Sequence, residues 1–318
     1  MQNPLYLGFD VGTQSTKALV VDVVRNQVVA RAQHPHELVP GLPPGHMEQA
    51  PEQWLAAVAA TARTALQKID PARIAGIGVS GQQHGAVVLD AAGNVVRPAK
   101  LWCDTATVAE ANELSKRIGR AVPTGFTASK LLWLARHEPK NWARVQQVLL
   151  PHDFINLRLS GEASMEYGDA SGTGFFDPVQ RRFDVAAMEA VDARLPSLLP
   201  SLRAPGEPAG RLSAAGTALL GLPVGIPLAA GGGDNMMAAI GSGATRAGVV
   251  VVSLGTSGTV FTRTDRPAVD PQGLIAPFCS SDGAWLPLLC VMNLTGVTEE
   301  VKALTGLGHA ALTTLAAD

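Results

Sequence analysis

Asp234 closes the run Leu228-Ala229-Ala230-Gly231-Gly232-Gly233-Asp234-Asn235, an apolar stretch that ends in three glycines and a carboxylate. Glycines carry no side chains, so a ligand is expected to reach the backbone there and meet the acid alone. Two further glycine-rich turns follow apolar runs. One lies in Leu7-Gly8-Phe9-Asp10-Val11-Gly12-Thr13-Gln14-Ser15-Thr16-Lys17, the other in Ser253-Leu254-Gly255-Thr256-Ser257-Gly258-Thr259. Turns of this kind present amides and hydroxyls that suit phosphate oxygens. Two of them, with an isolated acid between, point to phosphoryl transfer.

The elements that must position these residues can be read from periodicity. Residues 5–10 read as a buried strand, 11–16 as a turn, and 17–22 as a strand pairing back, with a third over 28–33. This is a meander around a phosphate-sized loop, not a strand–loop–helix P-loop. Residues 51–68 read as an amphipathic helix with Trp54, Val58, Ala62, Ala65 and Leu66 on one side. A short buried strand over 74–79 leads into the turn Ser80-Gly81-Gln82-Gln83-His84-Gly85. A hairpin is expected around Ala92-Gly93-Asn94, helices over 106–118 and 129–137, and a strand over 145–150. Residues 160–184 read as loops with short strands. After the glycine run a helix is expected over 235–240, then a hinge or domain boundary at Gly241-Ser242-Gly243-Ala244. Strands over 249–253 and 259–262 flank the third turn and repeat the opening strand–turn–strand pattern, a weak internal duplication.

Composition narrows the function classes. The chain has 318 residues, of which 47% are hydrophobic and 16% charged, enough to bury a sizeable core in one large domain or two smaller ones. A net charge of −2 gives no broad basic field for nucleic acid or an anionic membrane. Cys103, Cys279 and Cys290 are too few and too irregularly spaced for a disulfide framework or a zinc site, which fits a reduced cytoplasm. Met1-Gln2-Asn3-Pro4 has neither the basic region nor the apolar core of a signal peptide. His34, His36 and His46 lack metal-ligand spacing and are expected to be solvated.

Seven motifs in order carry a resemblance. They are Asp10-Val11-Gly12-Thr13, Ser80-Gly81-Gln82-Gln83-His84-Gly85, Leu101-Trp102-Cys103-Asp104, Gly125-Phe126-Thr127-Ala128-Ser129-Lys130-Leu131-Leu132-Trp133-Leu134, Asp169-Ala170-Ser171-Gly172-Thr173, Gly231-Gly232-Gly233-Asp234-Asn235 and Ser253-Leu254-Gly255-Thr256-Ser257-Gly258. Each alone is weak, but their order and spacing resemble the FGGY carbohydrate kinases of the actin-like ATPase superfamily. The resemblance implies an α/β fold: an actin-like ATPase (ribonuclease H-like) domain followed by a second, similar domain that is truncated. The first would be a sugar-binding domain over residues 1–243, the second the start of a nucleotide-binding domain over 244–318. The implied activity is ATP-dependent phosphorylation of a ketose or polyol at its terminal hydroxyl, with D-xylulose the leading substrate and ribulose, gluconate and glycerol the rivals. ATP and Mg²⁺ are the implied cofactors, a sugar and ATP the implied partners, and a homodimer is admitted. A non-catalytic sugar-binding protein is the rival from another class.

The resemblance also implies roles. Asp234 would be the catalytic base that takes the proton of a sugar hydroxyl; the plainer alternative is an N-cap aspartate for the helix that follows. Asp10 would organise Mg²⁺, the alternative being an aspartate bonded to its own turn. Gly12, Thr13, Gln14, Ser15 and Thr16 would hold nucleotide phosphates, joined from the second turn by Gly255, Thr256 and Ser257; an ordinary hairpin is the alternative there. Gln83, His84, Trp102 and Asp104 would contact the sugar together with Asp234 and Asn235. Gln83 stands where the family pattern has methionine. Lys130, Trp133 and Leu134 read as structural.

Overall fold

The computed structural model describes residues 3–255 and 257–317. Strands β1 (Leu5–Val11), β2 (Ser15–Asp22) and β3 (Gln27–Pro35) form the expected antiparallel meander. Burial alternates along β1, with Leu5, Leu7, Phe9 and Val11 on the core face, as the two-residue period of a strand requires. The strand Ile74–Gly81 then pairs parallel to β1, and Pro227–Ala229 and Gly232–Gly233 pair parallel to Ile74–Gly81. With Pro208–Arg211 at the edge, the order is Pro208–Arg211, Pro227–Ala229, Ile74–Gly81, β1, β2, β3.

This topology matters because it gathers strand ends. Asp10 stands in register with Ser80, and Ser80 with Gly232. The carboxyl ends of three parallel strands therefore lie side by side, which is where ligands bind in sheets of this kind. Helix α1 (Pro51–Ala65) covers the sheet, and Trp54, Val58 and Ala62 are fully buried against it. A second helix, Pro151–Ser160, joins the same core through Phe154, Ile155 and Leu159. Periodicity did not disclose this helix, but its local signals are present. Pro151 opens it, Asp153 Oδ2 accepts the Leu150 N–H at 2.9 Å, and Gly161 ends it at φ 81°.

A second sheet follows, wholly antiparallel, in the order Val250–Leu254, Gly258–Thr262, Trp285–Val291, Ile275–Cys279. Its core residues Phe261, Phe278, Leu286 and Leu288 pack on Met236 and Ala239 of the helix Asp234–Gly241. That helix thus starts at the first sheet and is held by the second. The region of the second sheet is also tied to the segment 166–178, which lies outside the first sheet. Ser281 Oγ donates to Glu166 Oε2 at 3.0 Å, the Cys279 N–H to Ser171 Oγ at 3.0 Å, and Trp285 Nε1 to the Pro178 carbonyl at 2.9 Å. The expected duplication holds at the level of hairpins: the Gly12 N–H donates to the Ser15 carbonyl at 3.0 Å, and the Gly255 N–H to the Ser257 carbonyl at 2.9 Å.

The glycine run has a different purpose from the one expected. A Cβ on Gly231 would lie 2.2 Å from the Val79 carbonyl, one on Gly232 2.7 Å from Ser281 Oγ, and one on Gly233 2.6 Å from Gln83 Cγ. The space beside all three is filled by protein, so the glycines allow packing rather than ligand approach. Gly231 also has φ 72°, where a side chain is strained. We expect Gly231→Ala to lower the unfolding free energy by about 2–4 kcal/mol in urea denaturation. Gly241→Ala, at a helical glycine with open space around its Cβ position, should stay within about 1 kcal/mol of wild type. Equal losses would contradict the packing account.

Candidate functional site

Between the two sheets lies a cavity of about 640 Å³. All six residues expected to contact substrate line it: Gln83, His84, Trp102, Asp104, Asp234 and Asn235. The second sheet closes it with Ser257, Thr259, Phe278 and Leu288. Asp10 and the turn Gly12–Thr16 do not line this cavity but stand next to it.

Asp234 is the first residue of its helix, with Gly233 as the N-cap, and its carboxylate is half-buried at the cavity. Oδ1 accepts from the Asn235 N–H at 2.8 Å and from Asn235 Nδ2 at 3.0 Å. The acid thus serves its helix and faces the cavity as well. Withdrawal from water, then the charges of Asp10 and Asp169, push its pKa up to about 7 against those hydrogen bonds. That is a useful value for a base at neutral pH.

His84 reaches the cavity from a strained turn, at φ 65°. Its ring lies over Gly172, where a Cβ would come within 1.9 Å of Nδ1, and packs against Phe126 and Phe278 with centroids 5.0 and 5.8 Å away. Burial, and secondarily the Lys130 ammonium, push its pKa down to about 3, so the imidazole is neutral. Lys130 itself is fully buried and donates to the carbonyls of Thr124, Gly125 and Phe126. It therefore holds the segment that forms one side of the cavity, in keeping with the structural role expected.

Trp102 and Asp104 meet the cavity in a more restricted way than expected. The Trp102 indole N–H donates to Thr13 Oγ1 at 3.0 Å, leaving the ring as an apolar wall. The Asp104 side chain is closed to solvent. Its Oδ2 takes the Met47 N–H and Lys100 Nζ, at 2.9 and 3.0 Å, and Oδ1 takes the Ala106 N–H at 3.1 Å. Asp104 is thus a counter-ion first. Lys100 Nζ also lies 3.0 Å from Glu48 and 3.2 Å from His46 Nδ1. The ammonium fills the centre of the His46/Glu48/Asp104 group, which its ligand types alone would suit to a metal, and Trp133 covers it at 4.0 Å.

The first turn is built from both sides. The N–H groups of Thr13 and Gln14 make no hydrogen bond among the described residues, which suits an anion. The hydroxyls of Ser15 and Thr16 do not share that role. Both residues are buried in β2: Ser15 Oγ accepts from Gln33 Nε2 at 3.0 Å, and Thr16 Oγ1 bonds His36 Nε2 at 2.9 Å. Here the expectation is corrected, because the strand begins two residues earlier than read and turns these side chains into the protein. His36 is likewise not solvated. Its Nδ1 donates to the Gly12 carbonyl at 3.0 Å, so Nε2 accepts from Thr16, and burial lowers its pKa in agreement with that neutral form. His46, too, is half-buried, beside Lys100.

Thr13 Oγ1 joins the turn to the cavity wall. It accepts from Trp102 and donates to Gln82 Oε1 at 2.9 Å. Gln82 Nε2 and Trp54 Nε1 both donate to Gln49 Oε1, at 3.1 and 2.9 Å, and Gln49 Nε2 returns to the Thr13 carbonyl at 2.7 Å. Neither Gln49 nor Gln82 was singled out from sequence; only their pairing, 33 residues apart, gives them meaning.

Asp10 keeps an accessible carboxylate, 42% exposed, with Oδ1 accepting from Ser80 Oγ at 3.1 Å and Oδ2 3.6 Å from Lys17 Nζ. Lys17, itself largely exposed, thus pairs with this acid. In the second turn Gly255 and Ser257 close the hairpin, and Thr295 donates to the Gly255 carbonyl through both N–H and hydroxyl, at 3.1 and 2.7 Å. Thr256 lies outside the described residues.

The family model described as the N-terminal domain of the FGGY family of carbohydrate kinases matches residues 5–241. A xylulose kinase of Haemophilus influenzae is 38% identical over 330 residues, covering 98% of this chain and 67% of that protein. One from Streptomyces coelicolor is 41% identical, covering 98% and 65%. The solved xylulose kinase of Rhodospirillum rubrum superposes with a TM-score of 0.87 at 26% identity, covering 98% of this chain and 65% of that one. The chain spans about two-thirds of the length of the curated relatives it matches. Motif order, sheet topology and these matches agree, and the chain belongs to the FGGY family of carbohydrate kinases.

Proposed function

We propose that the cavity binds a ketose and that Asp234 is the base in ATP-dependent phosphorylation of its terminal hydroxyl, D-xylulose going to D-xylulose 5-phosphate. The observation that carries this reading is the carboxylate of Asp234, raised to about 7 and set at a cavity whose other polar groups suit sugar hydroxyls. The names of the relatives support D-xylulose as the sugar. In the proposed step the hydroxyl oxygen bonds to the γ-phosphorus, its proton passes to Asp234, and the bond from that phosphorus to the bridging oxygen breaks to release ADP. Neutral His84 and Gln83 orient the sugar, Trp102 supplies an apolar wall, and Asp104 holds the wall in place through Lys100.

The free amides of Thr13 and Gln14, with Gly12, form the first phosphate site, and the turn at Gly255 and Ser257 the second. Electrostatic stabilisation of the transferring group is the main task of such turns. Asp10 fits a Mg²⁺ ion, being an accessible carboxylate beside the first turn; the ion, held largely through water, would neutralise phosphate charge. In this reading residues 1–243 form the sugar-binding domain and 244–318 belong to the nucleotide-binding one. A cytoplasmic setting fits the three free thiols.

Coupled release of ADP from a panel of ketoses and polyols tests the activity: D-xylulose should give the highest kcat/KM, and turnover of glycerol or gluconate alone would reassign the sugar. Calorimetric binding of sugar with no nucleotide binding would instead mark a sugar-binding protein. Asp234→Ala should lose about 10²–10⁴-fold in kcat while its sugar affinity stays within a few-fold; near-normal turnover excludes the base. Because the base acts unprotonated, kcat/KM should fall about tenfold per unit as pH drops below about 7. A profile flat down to pH 5 would contradict the raised pKa. His84→Ala should weaken sugar binding about tenfold and leave nucleotide affinity little changed, by calorimetry with each ligand.

A further inference from the structure

The amide of Asn235 has its orientation decided by its neighbours. Nδ2 lies 3.0 Å from Asp234 Oδ1 and 3.0 Å from Gln83 Oε1, while Oδ1 lies 3.1 Å from Thr259 Oγ1. Turning the carboxamide over would set its oxygen against the carboxylate oxygen of Asp234. An ionised Asp234 therefore demands the NH₂ on its side. The constraint passes to the next amide. With Asn235 Nδ2 directed at it, Gln83 must turn its oxygen toward Asn235 and its own NH₂ away. That NH₂ has no partner among the described residues, although Gln83 is only 4% exposed and lines the cavity. Gly233 makes room for it, since a Cβ there would fall 2.7 Å from Gln83 Nε2. A buried donor without an acceptor is costly, and one at a cavity calls for a ligand atom.

We propose that Asp234, acting through Asn235 as a positioning residue, fixes the polarity of Gln83 so that the cavity offers a hydrogen-bond donor there, and that the sugar must bring an acceptor oxygen to that place. The inference rests on the sugar reading above and deepens it: Gln83 distinguishes sugars by the presence of one oxygen. A hydrocarbon or thioether side chain could fill the same volume without making that distinction. Sites built to hydrogen-bond a group reject analogues that lack it far more strongly than apolar walls do.

The test is calorimetric titration of the chain with D-xylulose and with its singly deoxygenated analogues. Wild type should bind one analogue at least about tenfold more weakly than D-xylulose. In Gln83→Leu that ratio should collapse to about twofold or less, while the ratios for the other analogues persist. Gln83→Met keeps the side-chain length but has no donor, so it should lose the same ratio and answers the question if the leucine variant fails to fold. Asn235→Ala should reduce that same ratio, which a general structural loss would not single out. Unchanged ratios in both Gln83 variants overturn the inference alone. A wild type that binds no ketose overturns the sugar reading and the inference with it.

Discussion

The close approach of the stretch Gly231–Gly233 to the strand Ile74–Gly81 is the constraint on which the site depends. Side chains cannot be accommodated there: the Val79 carbonyl, Ser281 and Gln83 each fill the place a Cβ would need. That contact delivers the next residue, Asp234, to the carboxyl ends of β1 and Ile74–Gly81. It also seats Gln83 on Gly233, so one geometric fact positions both the acid and its neighbour. The helix that Asp234 begins is in turn anchored by the second sheet through Met236 and Ala239. The acid is therefore held from both sides of the cavity it faces.

Charge is arranged around this frame in two contrasting ways. Below the cavity, Lys100 satisfies Glu48 and Asp104 together; burial opposes the Glu48 charge, but Arg97 and Lys100 hold its pKa below the usual range. Such a cage fixes a wall without offering a site to a metal. Behind the glycine stretch, burial works against a charge on His152, but Asp153, Asp169 and Glu166 outweigh it and raise its pKa to about 9. Burial raises Glu166 to about 7, and its Oε2 accepts from Ser281, in the turn between Ile275–Cys279 and Trp285–Val291. Asp234 feels the negative charge of Asp169 as well as that of Asp10. The acid at the cavity is thus tuned by charges that do not line it.

Neutral hydrogen bonds do the remaining positioning. Thr13 uses one hydroxyl to join the first turn to Trp102 and to the buried pair Gln82 and Gln49, with every partner satisfied. A fully satisfied network of this sort specifies a single geometry, because any rearrangement leaves a buried group unpaired. His36 supports the same turn from the β3 side. The first turn and the cavity wall are consequently one hydrogen-bonded unit.

Much of this was legible in the chain of residues. The strand at 5–10, the apolar side of α1 at Trp54, Val58 and Ala62, and the two glycine-hydroxyl hairpins are local matters of period and turn chemistry, and they were read correctly. Motif order identified the family and placed Asp234, Gln83, His84, Trp102, Asp104 and Asn235, all of which line one cavity. The purpose of the glycines, the inward turn of Ser15 and Thr16, the capture of Asp104 by Lys100, and the parts played by His36 and Gln82 were not legible. Apart from the pair Lys100 and Asp104, four residues apart, each depends on which distant atom occupies a given few ångströms, and that is decided when segments far apart in sequence pack together. Residue types and spacing determined what chemistry the chain could attempt; packing alone decided which of those atoms remained free to do it.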